Sequence, residues 1–219
     1  MSATIPRTDR TTVKRLHDRG RYDRRTIDAI LDEAPICHLG FVADGQPFVI
    51  PTVHARHGDT VYVHGSPASR MLRTLKDGVD ACLTVTLVDG LVIGRSAFHH
   101  SVNYRSVVVL GRARLVDDAD EKFAALEAVV DHMVPGRWAE ARQPSEKELR
   151  STHVLALPLT EASAKVRTGP PVDEAEDYDQ PLWGGEIPLH NVSGKPVADP
   201  ALAEGIDIPA SVRAITARA

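Results

Sequence analysis

The chain lacks any stretch of about 18 apolar residues, the least that a membrane-spanning helix needs, and its N-terminus lacks the apolar core of a signal peptide. It is therefore expected to be cytoplasmic, with no membrane partner. Cysteine is nearly absent. Cys37 and Cys82 are not spaced as CxxC and each lies in an apolar segment, which reads as two reduced core thiols rather than a disulfide. Aromatic residues make up only 5% of the chain. The first 25 residues are basic but interleave Tyr22 alone among their arginines, and the net charge is −4. That combination argues against nucleic acid as a partner and leaves a basic arm that packs on a neighbour. Walker, GxGxxG and GxSxG motifs are missing, so nucleotide hydrolysis and serine hydrolysis lack sequence support. Ten histidines are present without an HExxH, an HxH or a Cys/His knuckle, and His99-His100 on a strand would point to opposite faces. No dedicated metal site is expected.

What remains is an ordinary globular composition, 42% hydrophobic and 26% charged over 219 residues, enough for one domain with appendages. Asp23 is placed to cap a helix whose apolar residues Ile27, Ile30, Leu31 and Ala34 follow helical spacing, with Pro35 at its end. The period then changes. "ICHLGFV", "PFVIPTVHA" and "TVYVHG" are short β-rich runs separated by Asp44-Gly45 and His57-Gly58-Asp59, an antiparallel meander. "SPASRMLRTLKDG" predicts a helix opening at Ser66, with Met71, Leu72 and Leu75 buried. Two strands are expected around Asp89-Gly90. A sixth follows in "YRSVVVLGRARLV", with Gly111 at a bulge or a close approach of backbones. "DEKFAALEAVVDHMV" predicts a helix burying Phe123, Leu126, Val130 and Met133, and "HVLALPL" running toward "AKVRTG" completes the sheet. Past Pro170 the chain turns acidic and then rich in Pro and Gly, as a tail does. The fold class is mainly β (α+β), a barrel of six or more antiparallel strands with peripheral helices.

Two clusters could carry chemistry. In "YVHGSPASRM" a strand delivers His64 and Gly65 to its end, and the Ser66 and Ser69 hydroxyls and the Arg70 fork follow, a set suited to a phosphate. Taken alone, these residues read better as an ordinary capped helix with a surface arginine. In "HHSVNYRS" the strand carries Ser101, then Asn103 and Arg105 on one face and Tyr104 and Ser106 on the other. A strand entering the sheet from a polar turn is the alternative there. Together the two donor-rich clusters favour an anionic ligand.

These stretches, with "DGQPFVIPTVHA" and "PLWGGEIPL", resemble the pyridoxamine 5′-phosphate oxidase-like, FMN-binding split-barrel proteins, in the branch of the nitroimidazole-resistance reductases, over roughly residues 20 to 190. The resemblance implies a split barrel over residues 23–170, an arm at 1–22 and a tail at 171–219 that packs near the cofactor. It implies that Ser69 and Arg70 grip the FMN phosphate just after His64 and Gly65, and that Ile50, Pro51 and Thr52 lay backbone groups along the flavin ring. It further implies that Asn103 to Ser106 reach the flavin across a homodimer interface and that Trp183 lies near the ring. N–H groups around Thr52 and the Trp183 indole are candidates for stabilising the reduced flavin. For His64 a structural hydrogen bond is preferred over a bridge between phosphate and substrate.

Two departures argue against pyridoxamine-phosphate oxidase activity itself. Met71 stands where the oxidases have a lysine, and the C-terminal Arg-His signature is missing. The implied function is an FMN-dependent oxidoreductase acting on a small-molecule electron donor or acceptor. The alternatives are a flavin store or redox sensor, or the same barrel holding deazaflavin or haem.

Overall fold

In a computed structural model that describes residues 4–217, the chain forms ten strands and six α-helices among the described residues. Residues 1–3 of the expected basic arm lie outside that range. The strands are β1 (Gly20–Arg21), β2 (Ile36–Ala43), β3 (Gln46–His57), β4 (Thr60–Gly65), β5 (Asp80–Ile93), β6 (Ser101–Arg112), β7 (Arg114–Leu115), β8 (His153–Pro158), β9 (Ala162–Arg167) and β10 (Gly185–Pro188). The helices are α1 (Arg24–Glu33), α2 (Arg70–Leu75), α3 (Ala119–Met133), α4 (Arg137–Glu140), α5 (Glu146–Arg150) and α6 (Ala210–Thr216).

All pairings are antiparallel, in the order β1-β9-β6-β5-β2-β3-β4-β8-β7, with β10 added to β5. The sheet closes because β6 and β7 are one strand interrupted at Ala113: its first part pairs with β9 and its second with β8. The circuit β2-β3-β4-β8-β7/β6-β5 is thus a six-stranded barrel, the class expected from the sequence. Closure removes most edges, and the exception matters. Residues 54–57 of β3 pair with β4, whereas residues 46–53 pair only with β2, so their other edge is open.

Strict alternation makes the core. Leu39, Phe41, Val61, Val63, Leu83, Val85, Val107, Val109, Leu155 and Leu157 point inward and are buried. Helix α1 plugs this interior with Ile27, Ile30 and Leu31, each at most 1% exposed and each contributing roughly 1.5–3 kcal/mol by burial. Asp23 caps it as expected, accepting from the Thr26 N–H at 2.9 Å. The Asp44-Gly45 turn takes φ values of 51° and 74°, and both cysteines are free thiols.

Several expectations need correction. Asp89-Gly90 does not turn the chain. Strand β5 runs straight through it, and the extra residue is absorbed as a bulge between Val88 and Gly90 because β6 pairs with both halves. Helix α2 opens at Arg70 rather than Ser66: residues 66–69 form a turn, with the Ser69 N–H on the Ser66 carbonyl. Helix α3 buries Ala125 and Val129 and packs Leu126 against Tyr62, Val116, Val154 and Ala156, leaving Phe123 and Met133 largely exposed. The small outer face of β4 and β8 selects the slimmer stripe. His99 and His100 close a 3₁₀ turn rather than a strand. The arm packs on its own chain, burying Ile5, Thr11 and Tyr22. The tail adds β10 to the sheet, and α6 hydrogen-bonds through Ser211 to Glu140 of α4. No helix among the described residues is long and apolar enough to cross a membrane.

Candidate functional site

The open edge of β3 is where the first cluster gathers. Phe48, Ile50 and Thr52 share the inner face of that strand with the core positions of β2, opposite Phe41, Leu39 and Cys37. Burial pushes the Cys37 thiol up to about 12, so it stays protonated and apolar. Phe48 stacks on Phe41, ring centroids 5.7 Å apart, and Arg70 lays its guanidinium over Phe48, 4.7 Å from the centroid. Arg70 is exposed and makes no ion pair among the described residues. Ser69, the N-cap of α2, does not use its hydroxyl to cap. Gly65 lets α2 come close, since a Cβ there would meet Leu72 Cδ2 at 3.2 Å. Arg70 lines a cleft of about 520 Å³ with Val42, Ala43, Asp44, Arg73, Thr74, Asp77 and Val79, while Ile50 and Thr52 follow Phe48 along the inner face of β3. Pro51 points to the outer face of β3, paired with His38.

The second cluster stands apart. Phe41 pairs with Ala81 while Tyr104 pairs with Val88, so about seven strand residues, or roughly 23 Å, separate the two ends along β5. Its side chains are also occupied within the chain. Asn103 is buried, accepts from the Arg167 guanidinium and donates to Glu186 at 2.5 Å. Arg105 forks between Glu33 and Asp89, which raise its pKa further above the ordinary arginine value. Ser106 donates to the Lys165 carbonyl at 3.3 Å, and Tyr104 is half-buried on the outer face. Ser101 is exposed at the strand start. Trp183 is 67% exposed and rests on Gly185, where a Cβ would come within 2.9 Å of its ring. Within one chain these residues do not meet Arg70.

His64 departs from expectation. Its ring points outward from β4 toward α3, and its buried Nδ1 has no hydrogen-bond partner. Burial lowers its pKa, keeping the ring neutral. It lines a cavity of about 290 Å³ whose other walls include Leu126, Val129, Val130, Trp138 and Leu149. The spacing of α3 predicted one apolar face, and nothing in the sequence joined it to His64. Phe48 was the other missed residue. Its alternation with Ile50 and Thr52 placed all three on one face.

The outer face of the sheet carries a further feature. Ile36, Val42, Val49, Val88, Leu91 and Val102 all project from it and remain between 37% and 64% exposed.

Residues 23–166 match the family model described as pyridoxamine 5′-phosphate oxidase. Flavocytochrome Anf3 from Azotobacter vinelandii is 46% identical, covering 95% of this chain and 97% of that one, with a TM-score of 0.90. The FAD and heme binding protein from Mycobacterium smegmatis is 37% identical, covering 90% of this chain and 97% of that one, with a TM-score of 0.87. A candidate 5-nitroimidazole antibiotic resistance protein from Bacteroides thetaiotaomicron shares the fold at 24% identity, covering 67% of this chain and 86% of that one, with a TM-score of 0.56. Among curated proteins none matches the chain. The match over the barrel, together with full-length likeness to two proteins of that architecture, means that the chain belongs to the pyridoxamine 5′-phosphate oxidase family.

Proposed function

We propose that the protein is a flavin-binding oxidoreductase that works as a homodimer and also holds haem. The observation that carries the flavin reading is Arg70: a guanidinium without a carboxylate partner among the described residues, placed over the Phe48 ring next to Ser69, whose hydroxyl does not cap α2, and to the open edge of β3. A fork of N–H donors suits a phosphate, and unpaired backbone groups along residues 46–53 suit the polar edge of a flat ring. The haem reading is supported by the two relatives that span nearly the whole chain, one a flavocytochrome and the other binding FAD and heme. Its fit to this chain rests on His64, a neutral histidine with an unpartnered buried nitrogen on an apolar cavity.

A bound flavin supplies hydride and single-electron transfer, and a haem supplies single-electron transfer. The chain's own work is to bind, orient and screen them. Arg70 and Ser69 would anchor the phosphate, β3 would orient the ring, and Phe48 and Ile50 would help to exclude water from it.

Two observations support the dimer reading. Six exposed apolar side chains share one sheet face, and the strand bearing Tyr104 lies roughly 23 Å from the Arg70 end of the same sheet. A two-fold partner covers the first and brings its own 101–106 strand to the second. FAD is the flavin proposed, after the M. smegmatis relative. FMN, implied by the family resemblance, would use the same phosphate grip.

The test is the visible spectrum of the purified protein, followed by chromatography of the released cofactors. Flavin bands and a Soret band are expected, and the released flavin distinguishes FAD from FMN. A colourless preparation that takes up neither added flavin nor hemin would overturn the reading. Turnover of reduced nicotinamide with a quinone or nitroaromatic separates an enzyme from a flavin store.

A further inference from the structure

We infer that His64 is the haem-iron ligand of this chain and that the cavity between β4 and the α3–α5 segment receives the porphyrin's apolar edge. The assignment rests on the haem half of the function proposed above.

Among the described histidines, His64 combines an apolar cavity with freedom from other partners. His54 is fully buried and donates from Nε2 to the Leu31 carbonyl. His132 is likewise held by the Ala34 carbonyl, and the 710 Å³ cleft it lines is charged by Asp32, Glu33, Asp89 and Arg105. His100 bonds to the Ser96 carbonyl, His99 lies 3.7 Å from Glu174, and His17 pairs with Asp18. His153 of β8 also has a buried Nδ1 without a partner, but it pairs with Gly65 of β4 and so points to the opposite face from His64. His38, His57 and His190 are exposed.

The walls suit the ligand class. Leu126, Val129 and Val130 of α3, Trp138 of α4 and Leu149 of α5 give apolar surface on which a macrocycle packs. Arg142 stands at the same cavity, exposed and paired with Glu148 at 2.7 Å. A guanidinium there can turn from that carboxylate to a porphyrin carboxylate, because an ion pair so exposed to water holds its partners weakly. His64 sits one residue from the end of β4, and Gly65 to Arg70 lead from it directly to the proposed flavin anchor. The geometry therefore puts the two cofactors on neighbouring sides of one short turn.

The experiment titrates hemin into the full chain, freed of cofactor, as wild type, His64→Ala, His64→Gly and His132→Ala, following the Soret band and the electron paramagnetic resonance of the ferric form. His64→Ala is expected to weaken hemin binding by more than the roughly 10–100-fold that loss of an outer partner of a metal ligand costs, and to change the spin-state signature. Added imidazole is expected to restore the wild-type spectrum to His64→Gly, which a merely unfolded variant cannot show. His132→Ala is expected to keep the wild-type Soret position. A wild type that takes up hemin while His64→Ala matches its affinity and spectrum overturns this assignment alone. A wild type that takes up none overturns the haem half of the function and the assignment with it.

Discussion

His54 and His132 face each other at one end of the barrel, ring centroids 4.9 Å apart, and each donates its Nε2–H to a carbonyl at the end of α1: Leu31 at 3.1 Å and Ala34 at 2.9 Å. They satisfy carbonyls that the helix itself leaves open. Burial, with repulsion from His132 second, lowers the His54 pKa to about 4.

The unfolded chain therefore binds more protons than the folded one between roughly pH 6.5 and pH 4. The stability linked to His54 is full above that window and is lost as the pH falls through it, by up to about 3 kcal/mol at ~1.4 kcal/mol per unit. Urea unfolding at about pH 7 and about pH 4.5 reads this as a difference between wild type and His54→Gln, which keeps a donor for Leu31 but cannot charge. Equal acid sensitivity of the two proteins would count against it.

Arg70→Ala is expected to weaken flavin binding by about 1.5–3 kcal/mol, the range for hydrogen bonds to charged groups, while leaving the fold intact because the side chain is exposed. Quenching of flavin fluorescence gives the dissociation constant. An unchanged value would place the phosphate elsewhere.

A charge on the outer face should break the dimer. Val49 and Val88 are 64% and 46% exposed, so Val49→Glu combined with Val88→Glu costs the single chain little. Across a covered apolar interface the same carboxylates would be buried without partners. Light scattering is expected to show a monomer with weakened flavin affinity. A double variant that stays dimeric and holds its flavin would show that this face is not the interface.

One buried carboxylate adds to the ties that hold the start of the C-terminal segment. Asp173 is 8% exposed and accepts from the Arg95 and Ser96 N–H groups and from the Arg95 guanidinium, which in turn packs on Tyr178. Asp173→Ala leaves those donors unpaired at about 1–3 kcal/mol and should release β10 from β5. Hydrogen exchange is expected to rise over residues 185–188 while the α1 core stays protected. Gly94→Ala should act the same way, since its Cβ would lie 2.9 Å from Asp173 Oδ1 and from the His99 backbone.

Period-2 alternation and turn chemistry were enough to read the barrel class, α1 with its Asp23 cap, and the Asp44-Gly45 hairpin, because each depends on residues within a few positions of one another. The bulge at Asp89 was not readable in this way. The same Asp-Gly pair can turn a chain or sit in a strand, and here the continuous partner strand β6 decided. Helix α3 is a similar case: its spacing predicted that Phe123, Leu126, Val130 and Met133 face the core, and the small outer face of β4 and β8 took Ala125 and Val129 with Leu126 instead.

The sequence by itself determined which side chains face which side of each strand, and hence that Ile50 and Thr52 travel with Phe48 and that Arg70 follows closely after His64. Only the tertiary structure decided that Asn103 and Arg105 are consumed by Arg167, Glu186, Glu33 and Asp89, and that His64 opens onto a cavity built by helices 60 to 85 residues further along the chain. The reason is range: strand parity is set by neighbouring dihedrals, whereas the pairing of a charge or the emptiness beside a ring depends on segments that meet only once the barrel has closed.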